Sequence, residues 1–239
     1  MAFSDFDSRG YPVVDVRSGY GEWVETYEQS VQDAMDIELL GGLRQVPWAD
    51  VREAADLGCG TGRTGAWLRS RGVPAIDGVD LTPQMLDRAR SKNVYRRLVE
   101  APVTSTGLPS GPYDLVITSL VDEHLAELPP LYREAHRLAA PGASLVLVGY
   151  HPQFIMAAGM PTHFHGRSGE PVAIETHLHL LSDHVTAALE AGWVLVEMKE
   201  RLIDDAWLAL KPKWARFKHQ PISMAFVWRK ACTPDRSHA

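Results

Sequence analysis

A glycine-rich stretch at residues 54–65, AADLGCGTGRTG, contains two overlapping patterns that bind different ligands. Its last six residues match G-x-G-x-x-G, whose backbone N–H groups and following helix hold the diphosphate of a dinucleotide. The same stretch places Asp56 before Gly58, Gly60 and Gly62, so that an acid leads into G-x-G-x-G. This second pattern indicates a nucleoside ligand that carries no phosphate.

The charge of Asp56 discriminates between the two ligands. A carboxylate close to a diphosphate would be an uncompensated like charge, which is costly. A ligand with a cationic amino group and a sulfonium has the opposite preference, and S-adenosylmethionine (SAM) is such a ligand. Glycines also let the backbone approach the ligand closely, because they have no side chain. The stretch therefore favours SAM over a nicotinamide dinucleotide.

A second acid ends the next apolar run. Asp80 closes residues 75–81, AIDGVDL, and lies 18 positions after Gly62. A carboxylate there can accept hydrogen bonds from ribose hydroxyls, in NAD and SAM alike. Leu81 and Met85 follow directly, and these two apolar side chains could sandwich an adenine ring.

Strand and helix patterns alternate from about residue 50 onward. Strands are predicted at Glu53–Leu57, 75–81, 97–99, Tyr113–Ser119, 144–149, 193–199 and 222–228. Helices are predicted at 63–71, 84–91, 130–139 and 183–191. Such alternation predicts an α/β fold with a doubly wound, seven-stranded, mostly parallel sheet. Because no helical pattern separates the last two strands, we expect the final strand to be antiparallel.

Composition limits the class of protein. The 239 residues are 45% hydrophobic, which is ample for one sizeable core. The net charge of −6 argues against nucleic acid or an acidic membrane as a partner. Cys59 and Cys232 are far apart and form no disulfide or metal framework. With no signal-peptide pattern and no apolar run of about 20 residues, we expect a soluble, cytoplasmic protein.

We predict a single domain over residues 1–239. Residues 1–45 are expected to form a helical lid, in which Tyr20, Trp23 and Tyr27 lie on one face of a helix. This aromatic stripe can instead pack the helix onto the sheet. Residues 151–181 break the alternation of strands and helices, and we expect them to be an insertion that covers the substrate.

Four segments in order carry a resemblance to a known family. They are DLGCGTGRTG, GVDLTPQMLDRAR, YDLVITSLVDEHL and LAAPGASLVLVGY, which together span about residues 52–150. At these spacings they resemble the successive motifs of the Rossmann-like class I SAM-dependent methyltransferases, in the small-molecule, type 11 branch.

The resemblance implies a role for each motif residue. It assigns Asp56 and the three glycines to the methionine part of SAM, Asp80 to the ribose, and Leu81 and Met85 to the adenine. It places the backbone of Ser119 near the sulfonium and the Tyr20 hydroxyl near the methionine carboxylate. Such enzymes often carry an acid that contacts the adenine amino group, but here Pro102 and Thr104 occupy that region. We expect the backbone of Val103 to make this contact.

Histidines dominate the regions where a methyl acceptor would bind. Five of the ten histidines lie between residues 151 and 179. We single out His124, after the fourth predicted strand, and His151, after the fifth, as candidates for direct catalytic roles, because histidine titrates near neutral pH. A hydrogen-bonded wall residue is the alternative for either.

Two His-x-His pairs raise a metal hypothesis. On strands, His163 and His165 would share one face, and so would His177 and His179. Four imidazoles could bind zinc or another divalent cation, but no cysteine or acidic motif accompanies them. We favour a solvated or substrate-filled groove and predict no metal site.

Basic and aromatic residues also alternate at 211–218, before the last strand. They could bind an anionic acceptor or an RNA backbone, or form a solvated loop with two core anchors. The acidic net charge makes RNA the least favoured of the three.

The predicted function is methyl transfer from SAM to a small organic acceptor with an O, N or C nucleophile. Two alternatives are a SAM-binding enzyme of non-methyl chemistry, such as cyclisation of the cofactor, and an NAD(P)-dependent oxidoreductase that uses residues 60–65. The sequence does not define the acceptor, and it allows a homo-oligomer.

Overall fold

Two β-sheets and nine α-helices organise the part of the chain that the structure describes. The structure is a computed structural model that describes residues 3–31 and 33–231; Cys232 lies outside these ranges. The strands are β1 (Val13–Val14), β2 (Glu53–Leu57), β3 (Ala75–Asp80), β4 (Arg97–Glu100), β5 (Tyr113–Ser119), β6 (Ala139–Tyr150), β7 (His163–His165), β8 (Pro171–Ile174), β9 (Trp193–Leu202) and β10 (Pro221–Lys230).

The helices cover both faces of the larger sheet and its carboxyl edge. They are α1 (Val16–Trp23), α2 (Tyr27–Ser30), α3 (Ile37–Gly41), α4 (Arg63–Ser70), α5 (Pro83–Ser91), α6 (Pro129–Leu138), α7 (Pro152–Ala158), α8 (Leu181–Glu190) and α9 (Asp205–Leu210). Short 3-10 helices occur at Phe3–Asp5, Trp48–Asp50, Asp122–His124 and Pro212–Phe217.

The main sheet has seven strands within the described residues, in the order β4-β3-β2-β5-β6-β10-β9. The first five strands in this order, from β4 through β3, β2 and β5 to β6, are parallel. Strand β10 is antiparallel to both β6 and β9. The predicted fold class is therefore confirmed, including the antiparallel last strand. The strand order reverses between β2 and β5, and the carboxyl ends of these strands form the crevice in which α/β sheets bind ligands.

Helices bury both faces of the inner strands of the main sheet, whereas most of the edge strand β9 is exposed. Strand residues of one face pack with α6 and α8, among them Leu57, Val79 and Val116. Residues of the other face, including Ile76 and Ile117, pack with α3 and α4. Because both faces are covered, the inner strands are continuous apolar runs rather than alternating patterns.

Sequence patterns located most elements of the main sheet to within a few residues. The strand predicted at 144–149 begins earlier, since β6 starts at Ala139 directly after α6. Pro141 and Gly142, residue types typical of turns, therefore lie inside β6, where the pairing with β5 shifts register. The interpretation of 211–218 as a loop is corrected as well, because Pro212–Phe217 is a 3-10 helix.

A small sheet joins the N-terminal segment to the segment after β6. Its strand order is β1-β8-β7, with β1 parallel and β7 antiparallel to β8. Val13 pairs with Ala173 and Val14 with Ile174. The side chain of Ile174 packs beside Trp23 and Phe164 in a separate apolar cluster. Two segments that are far apart in sequence therefore form one layer above the carboxyl edge of the main sheet.

Two local predictions are wrong. The aromatic stripe does not lie on one continuous helix, because α1 ends at Trp23 and α2 begins at Tyr27. The three rings are still together, with the Tyr20 and Tyr27 ring centroids 5.9 Å apart. His177 and His179 do not share a strand, since neither belongs to one of the ten strands of the described residues.

No helix in the described part of the chain is long and apolar enough to cross a bilayer.

Gly65 of α4 packs directly against the ring of Tyr95. A Cβ atom at Gly65 would lie 2.3 Å from Cζ of Tyr95. We expect Gly65→Ala to lower the free energy of unfolding by about 1–3 kcal/mol, because the overpacked ring must shift. Urea denaturation followed by circular dichroism measures this loss. Ser70→Ala, on the exposed end of the same helix, is the matched control and should leave the midpoint unchanged.

Candidate functional site

The glycine stretch forms the turn between β2 and α4. Gly58, Gly60 and Gly62 all have positive φ, at 72°, 52° and 87°. These left-handed conformations are strained for residues with a side chain, which explains the glycine spacing. The N–H groups of Gly58 and Cys59 both donate to the Val79 carbonyl, at 2.8 and 2.9 Å. The turn is therefore attached to the end of β3.

Asp80 closes the turn from the side of β3. Its Oδ2 accepts a hydrogen bond from the Gly60 N–H, and its Oδ1 accepts one from the Thr82 N–H, both at 2.8 Å. Burial raises the pKa of Asp80, and these N–H groups oppose the rise. The carboxylate is thus held in one orientation beside the glycines.

A cavity opens above this turn, which we call the glycine-loop cavity. Ten cofactor residues were predicted from the sequence, and eight of them line it. These eight are Tyr20, Gly58, Gly60, Asp80, Leu81, Met85, Val103 and Ser119. At Gly60 a Cβ atom would meet nothing within 4 Å, so the backbone there faces open space. Pro102 also contributes to the lining, beside Val103.

The other two predicted residues, Asp56 and Gly62, lie behind the turn. Oδ2 of Asp56 accepts a hydrogen bond from the Tyr95 hydroxyl at 2.7 Å. Burial raises the pKa of Asp56 to about 7, with the charge of Asp80 adding to the rise and the Tyr95 bond opposing it. Gly62 packs against the same ring, since a Cβ atom there would lie 3.1 Å from Tyr95. Both residues support the turn rather than line the cavity.

Charge at the turn suits a cation better than a diphosphate. Among the described residues that line the glycine-loop cavity, Asp80 is charged and none is lysine or arginine. Arg63 begins α4, but its Nη2 lies 2.6 Å from Oδ1 of Asp33 and 3.0 Å from Oδ1 of Asp36. This guanidinium is neutralised by two acids of the N-terminal segment.

His124 links the N-terminal helices to this cavity. The hydroxyl of Tyr20 donates to Nε2 of His124 at 2.8 Å, because Nδ1–H of the same ring donates to the Glu175 carbonyl at 2.7 Å. Burial lowers the pKa of His124 to about 4, so the ring is neutral near pH 7. Both ring nitrogens therefore have partners within the protein.

His151 lies elsewhere, at the beginning of α7. Its Nδ1 accepts a hydrogen bond from the Gln153 N–H at 3.2 Å, which caps the helix. Its Nε2–H donates to Oε1 of Glu200 at 2.9 Å. His151 lines neither the glycine-loop cavity nor the larger cavity next to it.

This larger space, which we call the aromatic cavity, has a volume of about 460 Å³. Its walls come from the N-terminal helices, from residues 150–165 and from the segment before β10. The large aromatic side chains that line it are Trp23, Tyr150, Phe154, Phe164, Trp207 and Trp214. Polar side chains line it as well, among them Gln29, Ser30, Thr162, His163 and Lys211. The cavity thus combines aromatic and polar surfaces.

Glu123 is the buried acid of the aromatic cavity, with a residue exposure of 2%. Its Oε1 accepts a hydrogen bond from the Thr162 hydroxyl at 3.1 Å. Its Oε2 has no hydrogen-bond partner among residues 3–31 and 33–231. Burial raises the pKa of Glu123 to about 8, and the adjacent charge of Asp122 adds to the rise.

Sequence reasoning did not select Glu123, although it noted the run Asp122-Glu123-His124 and chose the histidine. Two adjacent acids directly after a buried strand were the available signal, because such acids are brought close to the cofactor edge. Their directions could not be read from the sequence, since the run forms a 3-10 helix rather than an extended strand.

The two His-x-His pairs do not converge. Nδ1–H of His163 donates to the Pro161 carbonyl, and Nε2–H of His179 donates to the Leu125 carbonyl. In the part of the chain that the structure describes, no three residues of His, Cys, Asp or Glu are arranged to hold a metal ion. His163 and His165 instead line the aromatic cavity.

Comparison with known proteins agrees with the fold and the turn. Residues 55–147 match the family model described as a methyltransferase domain, of type 11. Over this segment the chain is similar to methyltransferases. The matched segment coincides with most of the region that carries the four sequence motifs, so it agrees with their resemblance to class I SAM-dependent methyltransferases.

Two relatives show how far the similarity extends. A malonyl-[acyl-carrier protein] O-methyltransferase of Serratia marcescens is 32% identical over 91 residues, which are 38% of this chain and 35% of that protein. An uncharacterized methyltransferase of Emericella nidulans is 26% identical over 259 aligned positions, covering 88% of both. The chain thus spans about a third of the first relative and most of the second.

Solved structures share the fold. A SAM-dependent methyltransferase from Mesorhizobium loti superposes with a TM-score of 0.64 at 24% identity, over 82% of this chain and 98% of that one. The [4+2]-cyclase SpnF superposes with a TM-score of 0.63 at 16% identity, over 94% of this chain and all of that one. The fold alone therefore does not fix the reaction.

Replacing Asp80 tests the placement of the cofactor ribose. We expect Asp80→Ala to weaken SAM binding at least tenfold, because it removes the carboxylate that would accept hydrogen bonds from the ribose hydroxyls. The same carboxylate also holds the N–H groups of Gly60 and Thr82. Isothermal titration calorimetry with SAM measures the change. Asp87→Ala, at an exposed acid of α5, is the control and should bind SAM as the parent chain does. Unchanged affinity in Asp80→Ala would mean that the ribose lies elsewhere.

Proposed function

We propose that this chain transfers the methyl group of SAM to a small organic acceptor that binds in the aromatic cavity. The observation that carries the proposal is Glu123, a buried acid with an unpartnered oxygen among the described residues. It lines the aromatic cavity, and the next residue, His124, lines the glycine-loop cavity. SAM would occupy the glycine-loop cavity, and the acceptor would approach from the other side.

The residues of the glycine-loop cavity fit SAM. The bare backbone at Gly60 allows close approach, Asp80 offers an oriented carboxylate, and the lining includes no lysine or arginine for a diphosphate within the described chain. When bound, SAM supplies an electrophilic methyl group on a sulfonium. We propose that Leu81 and Met85 flank the adenine and that Ser119 lies near the sulfonium, as the family motifs imply.

The two cavities share a wall. Tyr20 lines the glycine-loop cavity, and its ring stacks at 5.7 Å on Trp23, which lines the aromatic cavity. Likewise, His124 lines the glycine-loop cavity and Glu123 lines the aromatic cavity, and Nε2 of His124 lies 3.7 Å from Oε1 of Glu123. An acceptor in the aromatic cavity would therefore be adjacent to a cofactor in the other, as in-line displacement requires.

Glu123 is proposed as the group that removes a proton from the acceptor. A general base works best when its pKa is near the working pH, and burial shifts the Glu123 pKa toward that range. The Thr162 hydroxyl fixes one carboxyl oxygen and leaves the other available to a hydroxyl or amine of the acceptor. A bound sulfonium would favour the ionised form further.

The two histidines chosen from the sequence receive different roles in this proposal. His124 is proposed to hold the Tyr20 hydroxyl and so to position the N-terminal helices over the cofactor; its low pKa and two hydrogen bonds disfavour proton transfer. His151 is proposed to cap α7, whose Phe154 and Ile155 line the aromatic cavity.

Residues 1–45 and 151–181 are proposed as one cover of a single-domain enzyme. Both segments contribute to the aromatic cavity, for example through Thr26 and Thr162, and the β1–β8 pairing connects them. This arrangement supports the lid and the substrate-covering insertion expected from the sequence.

Calorimetry and mass spectrometry together test the reaction class. SAM and its demethylated product S-adenosylhomocysteine should bind, whereas NAD+ and NADP+ should not. Incubation with SAM alone should leave the cofactor intact, because a methyl acceptor is required. Binding of a nicotinamide dinucleotide would indicate an oxidoreductase, and conversion of SAM without an acceptor would indicate cofactor cyclisation.

The ionisation of Glu123 predicts a pH dependence. Below a pH of about 8 the carboxyl is protonated and cannot accept a proton, so kcat/KM should rise with pH and level off above about 8. Glu123→Gln should abolish this rise and lower kcat roughly 10²–10⁴-fold. The assay measures S-adenosylhomocysteine release from pH 6 to 9.5, with an acceptor that does not itself titrate in that range.

Glu127→Gln makes the same substitution at an exposed position four residues later, and its pH profile should match that of the parent chain. A Glu123→Gln variant that binds SAM normally and keeps the parent profile would exclude Glu123 as the base.

A further inference from the structure

Two lysines of the segment between α9 and β10 line the aromatic cavity without an acidic partner. Lys211 and Lys213 both contribute to its wall. Across residues 3–31 and 33–231, no carboxylate oxygen lies within 4.0 Å of either amine. Lys218 of the same segment contrasts with them, because it pairs with Asp205 at 2.5 Å. Nζ of Lys211 donates to the Ser30 carbonyl at 3.4 Å, which leaves its charge without an ion pair. In a chain with a net charge of −6, lysines without ion pairs at a cavity are a specific local feature.

The histidines beside these lysines add no negative charge to the cavity wall. His163 and His165 line the same cavity. Burial is the main cause that lowers the pKa of both Lys211 and His163, and the charge of Lys213 adds to each decrease. These groups therefore lie close together. Glu123 is the acid that lines this cavity within the described chain, and burial keeps it largely neutral near pH 7.

The two ends of the aromatic cavity differ in charge and in exposure to solvent. Lys213 is exposed to solvent, whereas Glu123 is buried against the cofactor side. Two stacked pairs of rings line the same cavity: Trp214 on Phe154 with ring centroids 4.9 Å apart, and Phe164 on Trp23 at 5.7 Å. Flat aromatic walls of this kind favour a planar ring as ligand.

We infer that the acceptor is a small aromatic compound with an anionic substituent at Lys211 and Lys213 and a hydroxyl or amine directed toward Glu123. This inference rests on the proposed function and adds the class of substrate. The acceptor oxygen or nitrogen forms the new bond to the methyl carbon while the carbon–sulfur bond breaks and its electron pair stays on sulfur. The acceptor proton passes to the Glu123 carboxylate. The product is an ether or an N-methyl amine, and the anionic group is not methylated.

Binding to the whole chain tests this inference independently of turnover. The test compounds are 3- and 4-hydroxybenzoate and 4-aminobenzoate, the corresponding neutral benzamides, and hydroxyphenyl phosphate. Tryptophan fluorescence is followed in the presence of saturating S-adenosylhomocysteine, because three tryptophans line the cavity. We expect the anionic compounds to bind at least tenfold more tightly than the amides. The carboxylate and phosphate compounds show which anion the lysines prefer.

Substitution of the lysines should remove this preference. In the double variant Lys211→Ala/Lys213→Ala, the acids should bind no better than the amides, and KM for a methylated acid should rise at least tenfold with little change in kcat. Lys211→Arg/Lys213→Arg should restore most of the difference. Lys218→Ala, at the paired lysine of the same segment, should behave as the parent chain does.

The outcomes separate this inference from the proposed function. If amides bind as tightly as acids, if neither series binds, or if the double variant keeps the preference, the inference is overturned while SAM binding and methylation of another acceptor still support the proposed function. Methyl esters among the products would also overturn it, because the carboxylate would then face the cofactor. If SAM itself fails to bind, the proposed function fails first.

Discussion

The joint between β2 and β3 is the constraint on which the site depends. Two backbone N–H groups of the glycine turn donate to the Val79 carbonyl, and the Asp80 carboxylate accepts a hydrogen bond from the Gly60 N–H. The turn is therefore fixed from β3 rather than by its own residues, and it must be glycine-rich because its φ angles are positive. This joint keeps side chains out of the cavity, orients an acid within it and starts α4, whose first residue anchors the N-terminal segment through Asp36.

Sequence patterns located this part of the molecule because its determinants are local. A positive φ demands glycine, an apolar run that ends in an acid marks the edge of a parallel sheet, and proline after Thr82 begins α5. Eight of the ten predicted cofactor residues line one cavity for this reason. Asp56 lies near the end of β2 and Gly62 lies in the turn, but both contact Tyr95 behind the turn and do not line the cavity. Tyr95 comes from a more distant part of the chain.

The aromatic cavity could not be predicted from the sequence in the same way, because its geometry is not local. After β5, Leu120 adopts a φ of 58°, and a 3-10 helix follows, so the alternation of side chains is lost. Asp122 then lies against Gly149, where a Cβ atom would be 2.3 Å from its Oδ1, and Glu123 faces the cavity. His151 became a helix cap because α7 follows it, although the sequence had indicated no helix there. Each outcome depends on contacts between strands that are far apart in sequence.

The pairing of β1 with β8 has a consequence for the order of ligand exchange. Val14 and Ile174 are tied by the small sheet, while α1 follows directly over one ligand space and the β7–β8 hairpin covers the other. A motion that lifts α1 to release the spent nucleoside must either carry the hairpin with it or break the strand pairing. In the proposed enzyme, the first course would preserve the hydrogen bonds between these strands, and it would couple departure of the nucleoside to entry of the next acceptor.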